Sequence, residues 1–243
     1  MRPNATMERA PQGELKTEYV KGMFTRIARR YDLMNRLMTA GRDQKWRRRA
    51  VGLARIQPGG RVLDLATGTG DLGLAVLEHL PTATVTGVDF LLPMLRLSRQ
   101  KAATSHRKGF HFAAADALDL PFPDKTFDAV LSAFLMRNVA DLVRGFQEQR
   151  RVLRPGGRLV CLEITLPETV GFRKVFGWYF HRIVPVVGGL VSGSREAYTY
   201  LPESVQRFPP PAALANLLRE TGLREVTCER LMGGTVTIHA GTR

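Results

Sequence analysis

One stretch decides the fold of this chain: Val62-Leu63-Asp64-Leu65-Ala66-Thr67-Gly68-Thr69-Gly70-Asp71. A short apolar run leads directly into a turn with two glycines, and residues 72–80 continue with apolar side chains at helical spacing. Glycine has no Cβ atom, so such a turn allows the backbone to approach a ligand closely. This order predicts a strand, a ligand-binding loop and a helix, which is how an α/β fold with a parallel sheet begins.

The same alternation of strands and helices continues to about residue 166. We expect strands at residues 62–65, 84–88, 109–114, 127–132 and 157–164, with helices at 72–80, 93–105 and 142–153. After a helix at 211–221, the β-like runs 226–231 and 234–240 are close enough to pair as an antiparallel hairpin. The fold class is therefore α/β, a Rossmann-like, mostly parallel seven-stranded sheet with helices on both faces and a late antiparallel strand pair. Right-handed crossovers place the loops that follow the strands along one edge, where ligands bind.

Asp89 is the candidate ligand for a nucleoside. It follows the β-like run 83–88, which places it at the tip of the second predicted strand. A carboxylate at this position can accept hydrogen bonds from both hydroxyls of a ribose. The chain is therefore expected to bind a cofactor that contains a nucleoside.

The glycine loop alone does not identify that cofactor. Residues 68–73 satisfy G-x-G-x-x-G, so a nicotinamide-dependent dehydrogenase has to be considered, although the chain lacks an obvious second nucleotide-binding half. A dinucleotide site usually leaves the helix N-terminus free for pyrophosphate, whereas here Asp71 stands at that position and Asp64 on the preceding strand. Two carboxylates suit a cofactor with an ammonium and a sulfonium group, such as S-adenosylmethionine (SAM). Asp71 can also be the N-cap of the helix, a role that does not exclude the other.

Composition predicts a globular protein without metal sites or disulfides. At 243 residues the chain is long enough to bury a substantial core. Cys161 and Cys228 lie far apart in apolar runs and are expected to be buried thiols. The five histidines are scattered and make no metal-ligand spacing.

The net charge of +14 is the unusual bulk feature, and it is concentrated in residues 26–55 and 96–108. Such runs form solvated helix faces, or they contact an anionic membrane surface or nucleic acid. Nucleic acid is disfavoured, because the chain has neither an Asn/Asp-Pro-Pro-aromatic motif nor a Pro-Cys nucleophile. The polar N-terminus has no secretory signal and predicts a cytoplasmic protein, while the apolar run 175–191 is too interrupted to span a bilayer.

The sequence predicts a disordered segment followed by one domain. Residues 1–18 are expected to be disordered, and residues 19–243 to form a single domain. Within it, residues 20–56 have the spacing of a helical cap with a break near Gly41. Residues 165–208 interrupt the strand–helix rhythm, are rich in aromatic side chains and glycine, and are a natural lid over a substrate.

Five blocks carry a resemblance to a known family. They are residues 24–35 (Phe-Thr-Arg-Ile-Ala-Arg-Arg-Tyr-Asp-Leu-Met-Asn) extended to Trp46, the glycine loop, residues 116–124 with 126–128, residues 137–139 with 151–163, and residues 195–205 (Arg-Glu-Ala-Tyr-Thr-Tyr-Leu-Pro-Glu-Ser-Val). The chain resembles the menaquinone/ubiquinone-biosynthesis C-methyltransferases, which are class I SAM-dependent enzymes, over nearly its whole length. The first and last blocks are the most specific.

The resemblance implies SAM-dependent C-methylation of an isoprenoid quinol ring, most directly demethylmenaquinol to menaquinol, the last step of menaquinone biosynthesis. A ubiquinone-pathway benzoquinol or another phenol is the alternative acceptor. Because the polyprenyl tail lies in a membrane, residues 172–191 and the basic helices near Arg47 are expected to rest on the anionic inner leaflet. The apolar run could instead be a homodimer interface or ordinary core.

The resemblance and the residue pattern together define a candidate cofactor site. The glycine loop is expected to pass beneath the methionine part of SAM, Asp89 to hold the ribose, and Asp116 to accept from the adenine amino group. Asp116 can instead be a turn cap, and Asp64 is expected to brace the loop rather than to bind the cofactor directly. The expected cofactor-binding residues are Asp64, Thr67, Gly68, Thr69, Gly70, Asp89, Asp116, Ala117 and Ser132.

The chemistry requires activation of a phenol, whose pKa is about 10. A nearby cation or a base must promote its deprotonation before the ring carbon becomes a strong nucleophile. The candidate catalytic residues are Arg137, His181 and Tyr198, with Tyr200 beside them. Arg137 can instead be a structural arginine paired with Asp128 or Asp141, and His181 can be packed in the apolar run.

Several positions depart from the family pattern, among them Thr39, Ala133 and Ser194, and two further departures bear on the chemistry. Asp43 stands where a histidine is usual, which puts a catalytic role for that histidine in doubt. Leu135 stands where glycine is usual and is expected to narrow the space beside Arg137.

Overall fold

A seven-stranded sheet forms the centre of the computed structural model, which describes residues 14–192 and 195–243. Its strands are β1 (Arg61–Leu65), β2 (Thr84–Asp89), β3 (Phe110–Ala114), β4 (Phe127–Ala133), β5 (Leu153–Ile164), β6 (Arg224–Leu231) and β7 (Val236–Thr242). They lie in the order β3-β2-β1-β4-β5-β7-β6. Strands β1 to β5 pair in parallel, whereas β7 runs antiparallel to both β5 and β6. The predicted fold class is confirmed, including the late strand pair.

Helices surround the sheet. Those that the structure describes are α1 (Glu14–Ile27), α2 (Tyr31–Thr39), α3 (Arg42–Leu53), α4 (Asp71–His79), α5 (Leu92–Thr104), α6 (Leu142–Val152), α7 (Val170–Trp178), α8 (Val184–Ser192), α9 (Arg195–Arg207) and α10 (Pro211–Glu220). A 3₁₀ turn at Ala28–Arg30 joins α1 to α2, and a π-helical turn at Tyr179–Ile183 joins α7 to α8. The predicted elements of the sheet region all form, and their bounds differ most at the start of β5.

Two apolar layers cover the sheet, one on each face. The first packs α3 and α4 against the sheet, and the second packs α6 and α10 against the opposite face. The central strands are apolar along most of their length because both faces are covered. Cys161 is fully buried in β5 as expected, whereas Cys228 in β6 is only half-buried.

The N-terminal region differs from prediction in two ways. Of the segment expected to be disordered, residues 1–13 lie outside the described residues, but residues 14–18 belong to α1. The Lys16 ammonium donates to Arg137 O (3.1 Å) and Val139 O (2.8 Å), a long-range anchor that local sequence does not reveal. In addition, α3 packs on the sheet face, so the helices over the sheet edge are α1 and α2, here called the cap. The predicted break near Gly41 is present, with φ of 50° at Ala40 and 72° at Gly41.

The insertion, residues 165–208, forms the helices α7, α8 and α9. These pack with the cap into a third apolar cluster at the edge where the parallel strands end. In residues 14–192 and 195–243, none of the helices is sufficiently long and apolar to cross a membrane. The cap and the insertion therefore enclose the edge at which ligands of such sheets bind.

Candidate active site

The glycine loop after β1 is held in a strained turn. Ala66, Gly68 and Gly70 have φ of 53°, 55° and 87°, and Thr67 N donates to Val88 O at 2.8 Å. A Cβ atom on Gly70 would lie 2.3 Å from Ser98 Oγ, so only glycine fits there. A Cβ on Gly68 would have no atom closer than 4.0 Å. The outer side of Gly68 is therefore open to a ligand.

Asp64 and Thr67 brace this loop from behind. Asp64 Oδ2 accepts from Thr67 Oγ1 at 2.6 Å and from Gly73 N at 2.9 Å. Burial raises the pKa of Asp64 to about 6, against the opposing effect of these hydrogen bonds. The arrangement agrees with a bracing role for Asp64. Neither residue is among the described residues that line the cavities below.

Asp89 lies opposite the open side of Gly68. Its Oδ2 accepts from Gly68 N at 2.9 Å, and its Oδ1 accepts from Leu91 N at 2.8 Å. Burial raises the pKa of Asp89, while the backbone donors oppose that shift. A carboxylate oxygen has a second acceptor site, so each oxygen can still accept a hydroxyl. The residues present therefore fit the ribose of SAM.

A smaller cavity of about 60 Å³ adjoins Gly68 and Asp89. The described residues that line it are Val20, Phe24, Tyr31, Ala66, Gly68, Asp89, Phe90, Leu91, Met94, Ala133, Phe134, Leu135 and Asn138. It thus combines an acidic strand tip, an open glycine and apolar walls, which suit a nucleoside. Leu135, expected beside Arg137, contributes to this wall.

Besides Asp64 and Thr67, five predicted cofactor residues are not among the described residues that line this cavity: Thr69, Gly70, Asp116, Ala117 and Ser132. Asp116 is exposed, and its Oδ1 accepts from Leu118 N at 2.9 Å, which is the turn cap left open above. Ala117 and Ser132 are buried in the core and in β4. The pairing of Ala115 N with Asp89 O (3.2 Å) keeps this turn close to the cavity, so the adenine role of Asp116 stays a prediction.

Asp71 is not the N-cap of α4, and its role toward the cofactor stays a prediction. The N-cap of α4 is Gly70, without a side-chain cap, and Asp71 is the first helical residue. Its carboxylate accepts from Lys101 Nζ at 2.6 Å and from Gln44 Nε2 at 3.0 Å. Burial would raise the pKa of Asp71, but Lys101 and then Arg47 outweigh it and hold the pKa below its ordinary value. In this structure the ammonium group that binds the Asp71 carboxylate is that of Lys101.

A larger cavity of about 400 Å³ lies between the cap, the insertion and the sheet edge. Its lining is mostly apolar and aromatic; the described residues include Met23, Ile27, Met38, Trp46, Ile164, Phe172, Phe176, Tyr179, Phe180, Val184, Leu201, Met232 and Val236. The two cavities share Phe24, Tyr31, Phe134 and Asn138. Because these four residues line both cavities, ligands in the two cavities would be neighbours.

Arg137 lines the larger cavity and forms a buried ion pair with Glu163, not with either predicted partner. Arg137 Nη1 lies 2.9 Å from Glu163 Oε2. Asp128 pairs with Arg154 instead, and Asp141 caps α6 by accepting from Arg144 N. Burial raises the pKa of Glu163, and Arg137 opposes that shift. Sequence reasoning missed Glu163, although a carboxylate near the end of an otherwise apolar buried strand is a usable signal.

The other catalytic candidates lie in two different places. Tyr198 and Tyr200 line the larger cavity, and the buried Tyr200 hydroxyl has no hydrogen-bond partner among the described residues. Burial raises the pKa of Tyr200. His181 is exposed, with Nδ1 2.9 Å from Gly177 O and Nε2 3.0 Å from Gln206 Nε2. The structure therefore brings Arg137 and the two tyrosines together and leaves His181 on the surface.

Asp43, at the departure from the family pattern, is buried in the wall of the larger cavity. It forms an ion pair with Arg47 and accepts from Thr39 Oγ1 at 3.1 Å. The Arg47 guanidinium lies 5.5 Å from the centroid of the Phe134 ring. Arg47 is thus a buried residue and not part of a basic surface.

The sheet order, the glycine loop after β1 and the acidic tip of β2 define a class I SAM-dependent methyltransferase. A SAM-dependent methyltransferase from Aquifex aeolicus superimposes with a TM-score of 0.60 at 17% identity, over 80% of this chain and 88% of that one. That likeness concerns the fold.

Sequence comparison identifies the family. The profile of the ubiE/COQ5 methyltransferase family matches residues 12–243, so the chain belongs to that family. It is 51% identical to a demethylmenaquinone methyltransferase of Thermus thermophilus, over 91% of this chain and 100% of that protein. It is 48% identical to one of Deinococcus radiodurans, over 89% and 90%. The resemblance drawn from the five sequence blocks is confirmed, and SAM is the cofactor.

Proposed function

We propose that this protein methylates a ring carbon of an isoprenoid quinol, with demethylmenaquinol as the acceptor. The names of its relatives from Thermus thermophilus and Deinococcus radiodurans support this acceptor. The observation that carries the proposal is the larger cavity, an apolar space of about 400 Å³ with one buried cation, directly beside the smaller cavity. Its volume falls within the usual range of small-molecule sites.

The wall of the larger cavity contains buried polar groups, and some of its lining residues are exposed. The buried Arg137 and the Tyr200 hydroxyl lie on its wall near the residues shared with the smaller cavity. The lining residues that are exposed are, of those described, Ala40, Arg42, Phe172 and Met232. They come from the α2–α3 turn, α7 and the β6–β7 turn, and Arg42 Nη1 lies 2.9 Å from Met232 Sδ. We infer that the quinol ring lies at the Arg137 end and that the tail leaves at this mouth.

Arg137 would act on the acceptor by charge. SAM would supply a methyl group made electrophilic by its sulfonium. The ring carbon would take this methyl as its bond to sulfur breaks, S-adenosylhomocysteine would leave, and the hydrogen on that ring carbon would be lost as a proton. A guanidinium beside a phenol favours the phenolate, which raises the nucleophilicity of the ring carbon. Glu163 keeps Arg137 oriented, and Arg137 Nε has no hydrogen-bond partner among the described residues, so it is available to the acceptor oxygen. The apolar walls exclude water that would screen this charge.

We further propose peripheral contact with the inner membrane leaflet, from the cytoplasmic side. Exposed apolar side chains on the cap and insertion support this contact: Leu33, Leu37, Val175, Trp178, Val186 and Leu190. Arg36, Arg173, Lys174 and Arg182 are exposed on the same elements and would attract anionic lipids. Arg47 itself is buried and does not take part in this contact, whereas Lys45, Arg48 and Arg49 beside it are exposed. The alternative is that a second copy of the chain covers this face in a homodimer.

The proposed function can be tested with purified protein, methyl-labelled SAM and a reduced short-chain demethylmenaquinol. We expect a product with one labelled methyl group on a ring carbon by mass spectrometry. A parallel reaction with the ubiquinone-pathway benzoquinol measures acceptor preference. Binding of SAM without transfer to either quinol would retain the enzyme class and reject the acceptor.

A further inference from the structure

One lysine connects three parts of the site. Lys101, on α5, places its ammonium 2.5 Å from Asp32 Oδ2, 2.6 Å from Asp71 Oδ1 and 3.1 Å from Thr69 Oγ1. Asp32 belongs to α2 of the cap, Asp71 begins α4, and Thr69 lies in the glycine loop. Thr69 Oγ1 in turn donates to Asp32 Oδ1 at 2.5 Å. The cap is thereby joined directly to the glycine loop.

The contacts of this cluster are stronger than those of a typical surface ion pair. An ammonium has three hydrogens, and Lys101 has an acceptor for each of them. The side chains of Lys101 and Asp32 are 28% exposed and that of Asp71 is 10% exposed, so solvent screens them incompletely. Without the lysine, two carboxylates would face each other and repel. Lys101 therefore neutralises the repulsion between a carboxylate of the cap and a carboxylate beside the glycine loop.

The cluster is also next to the residues that shape the smaller cavity. Tyr31, which precedes Asp32, lines both cavities, and Gly68, which precedes Thr69, lines the smaller one. The position of Asp32 relative to Thr69 therefore sets the distance between Tyr31 and Gly68. This part of the cap covers the site at which the nucleoside is expected.

We propose that Lys101 is a positioning residue for cofactor binding. Together with Asp32 and Asp71 it forms an ionic latch that holds the cap closed over the smaller cavity. The latch goes beyond the proposed acceptor chemistry and does not depend on which quinol is methylated.

The test compares Lys101→Met with Lys108→Met, an exposed lysine just after α5. Hydrogen exchange of the protein without added cofactor should show faster exchange in residues 28–39 of Lys101→Met, with β1 and β4 as protected as in the wild type. Calorimetric titration with SAM should show a dissociation constant raised about 10- to 100-fold, the scale of a lost charged hydrogen bond. Lys108→Met should match the wild type in both measurements. No quinol is present, so the result is independent of the acceptor proposal.

The double variant distinguishes a latch from a merely structural lysine. In Lys101→Met the two carboxylates face each other, so adding Asp32→Asn should recover part of the lost SAM affinity. Additive losses in the double variant would overturn the proposal, as would wild-type exchange and affinity in Lys101→Met. If Lys101→Met does not fold, Asp32→Asn alone decides the matter, because it keeps the Lys101–Asp71 pair. The latch predicts faster exchange in residues 28–39 for this variant, and unchanged exchange and affinity would refute it.

Discussion

Arg137 and Glu163 form a buried ion pair at the wall of the larger cavity, with Arg137 Nη1 2.9 Å from Glu163 Oε2. Arg137 follows β4 and Glu163 lies near the end of β5, so the parallel pairing of these strands places the two residues side by side. A cation held in this way keeps both its charge and its orientation in an apolar space. The pair therefore connects the fold to the chemistry.

Removal of the carboxylate should destabilise the protein. Glu163→Ala leaves the Arg137 charge buried without a partner, and we expect a loss of about 3–5 kcal/mol in the free energy of unfolding. Glu163→Gln keeps the shape and one acceptor, so its loss should be smaller. Urea denaturation of both variants measures the difference, and wild-type stability in Glu163→Ala would contradict the assigned pair.

Arg137→Lys should separate turnover from cofactor affinity. Lysine keeps the positive charge but lacks the planar guanidinium that contacts Glu163 and, in the proposed function, also the acceptor. We expect kcat to fall by about 100-fold, the scale for loss of one preorganised donor, with the SAM dissociation constant nearly unchanged. Steady-state kinetics and calorimetry give the two numbers. Equal loss of both would indicate a structural role for Arg137.

Asp89→Ala should weaken SAM binding by about 2–4 kcal/mol, because two charge-assisted hydrogen bonds to the ribose are lost. The variant also frees Gly68 N and Leu91 N, which Asp89 holds in the structure. Asp89→Asn is the matched control, since it keeps an acceptor without the charge. Calorimetric titration with SAM measures both, and unchanged affinity in Asp89→Ala would exclude the ribose assignment.

The stability difference between Asp64→Asn and the wild type should depend on pH. The pKa of Asp64 is about 6 in the fold, against about 3.9 in the unfolded chain. The folded state therefore binds the proton more tightly, so the contribution of Asp64 to stability falls as pH rises from 4 to 6. Asp64→Asn lacks this loss, so its stability relative to the wild type should rise by about 2–3 kcal/mol between pH 4 and pH 7. Urea melts across this range test the sign, and a flat difference would contradict the raised pKa.

Trp178 can report directly on the proposed membrane contact. It is 62% exposed on the insertion, whereas the other tryptophan, Trp46, is buried, so a change in emission on adding vesicles comes from Trp178. We expect a blue shift with anionic vesicles that weakens with salt. Trp178→Ser with Leu190→Ser should reduce flotation, while Val143→Ser, an exposed control on α6, should not. Wild-type protein that does not float at low salt would exclude the contact.

The central sheet was predictable because its signals are local. The alternation of apolar runs with glycine turns placed every strand of the sheet, and the acidic residue at the end of β2 predicted the nucleoside end of the site. The first residues of α1 were not predictable in this way. Four of the five residues 14–18 are polar, and their helix is anchored by the contact of Lys16 with Arg137 O, more than a hundred residues away.

The candidate site was predicted in part for the same reason. Gly68, Asp89 and Arg137 stand at strand ends, where the fold class itself implies a position. The predicted ion-pair partners of Arg137 were wrong. Asp128 and Asp141 are closer to Arg137 in sequence than Glu163 is, but they bind other groups. The sequence did not indicate the ion pairs of Lys101, because a lysine on a helix is usually exposed to solvent.

The sequence alone thus determined the fold class and the family, and it predicted the end of the sheet at which the cofactor binds. These depend on apolar periodicity and on glycine and acidic residues at fixed positions in the chain. Tertiary structure decided which charged groups form ion pairs: Glu163 with Arg137, and Lys101 with Asp32 and Asp71. It also placed His181 on the surface rather than in the cavity. The physical reason is that an ion pair forms between groups that the packing of distant elements brings within about 4 Å, a distance that the sequence does not encode locally.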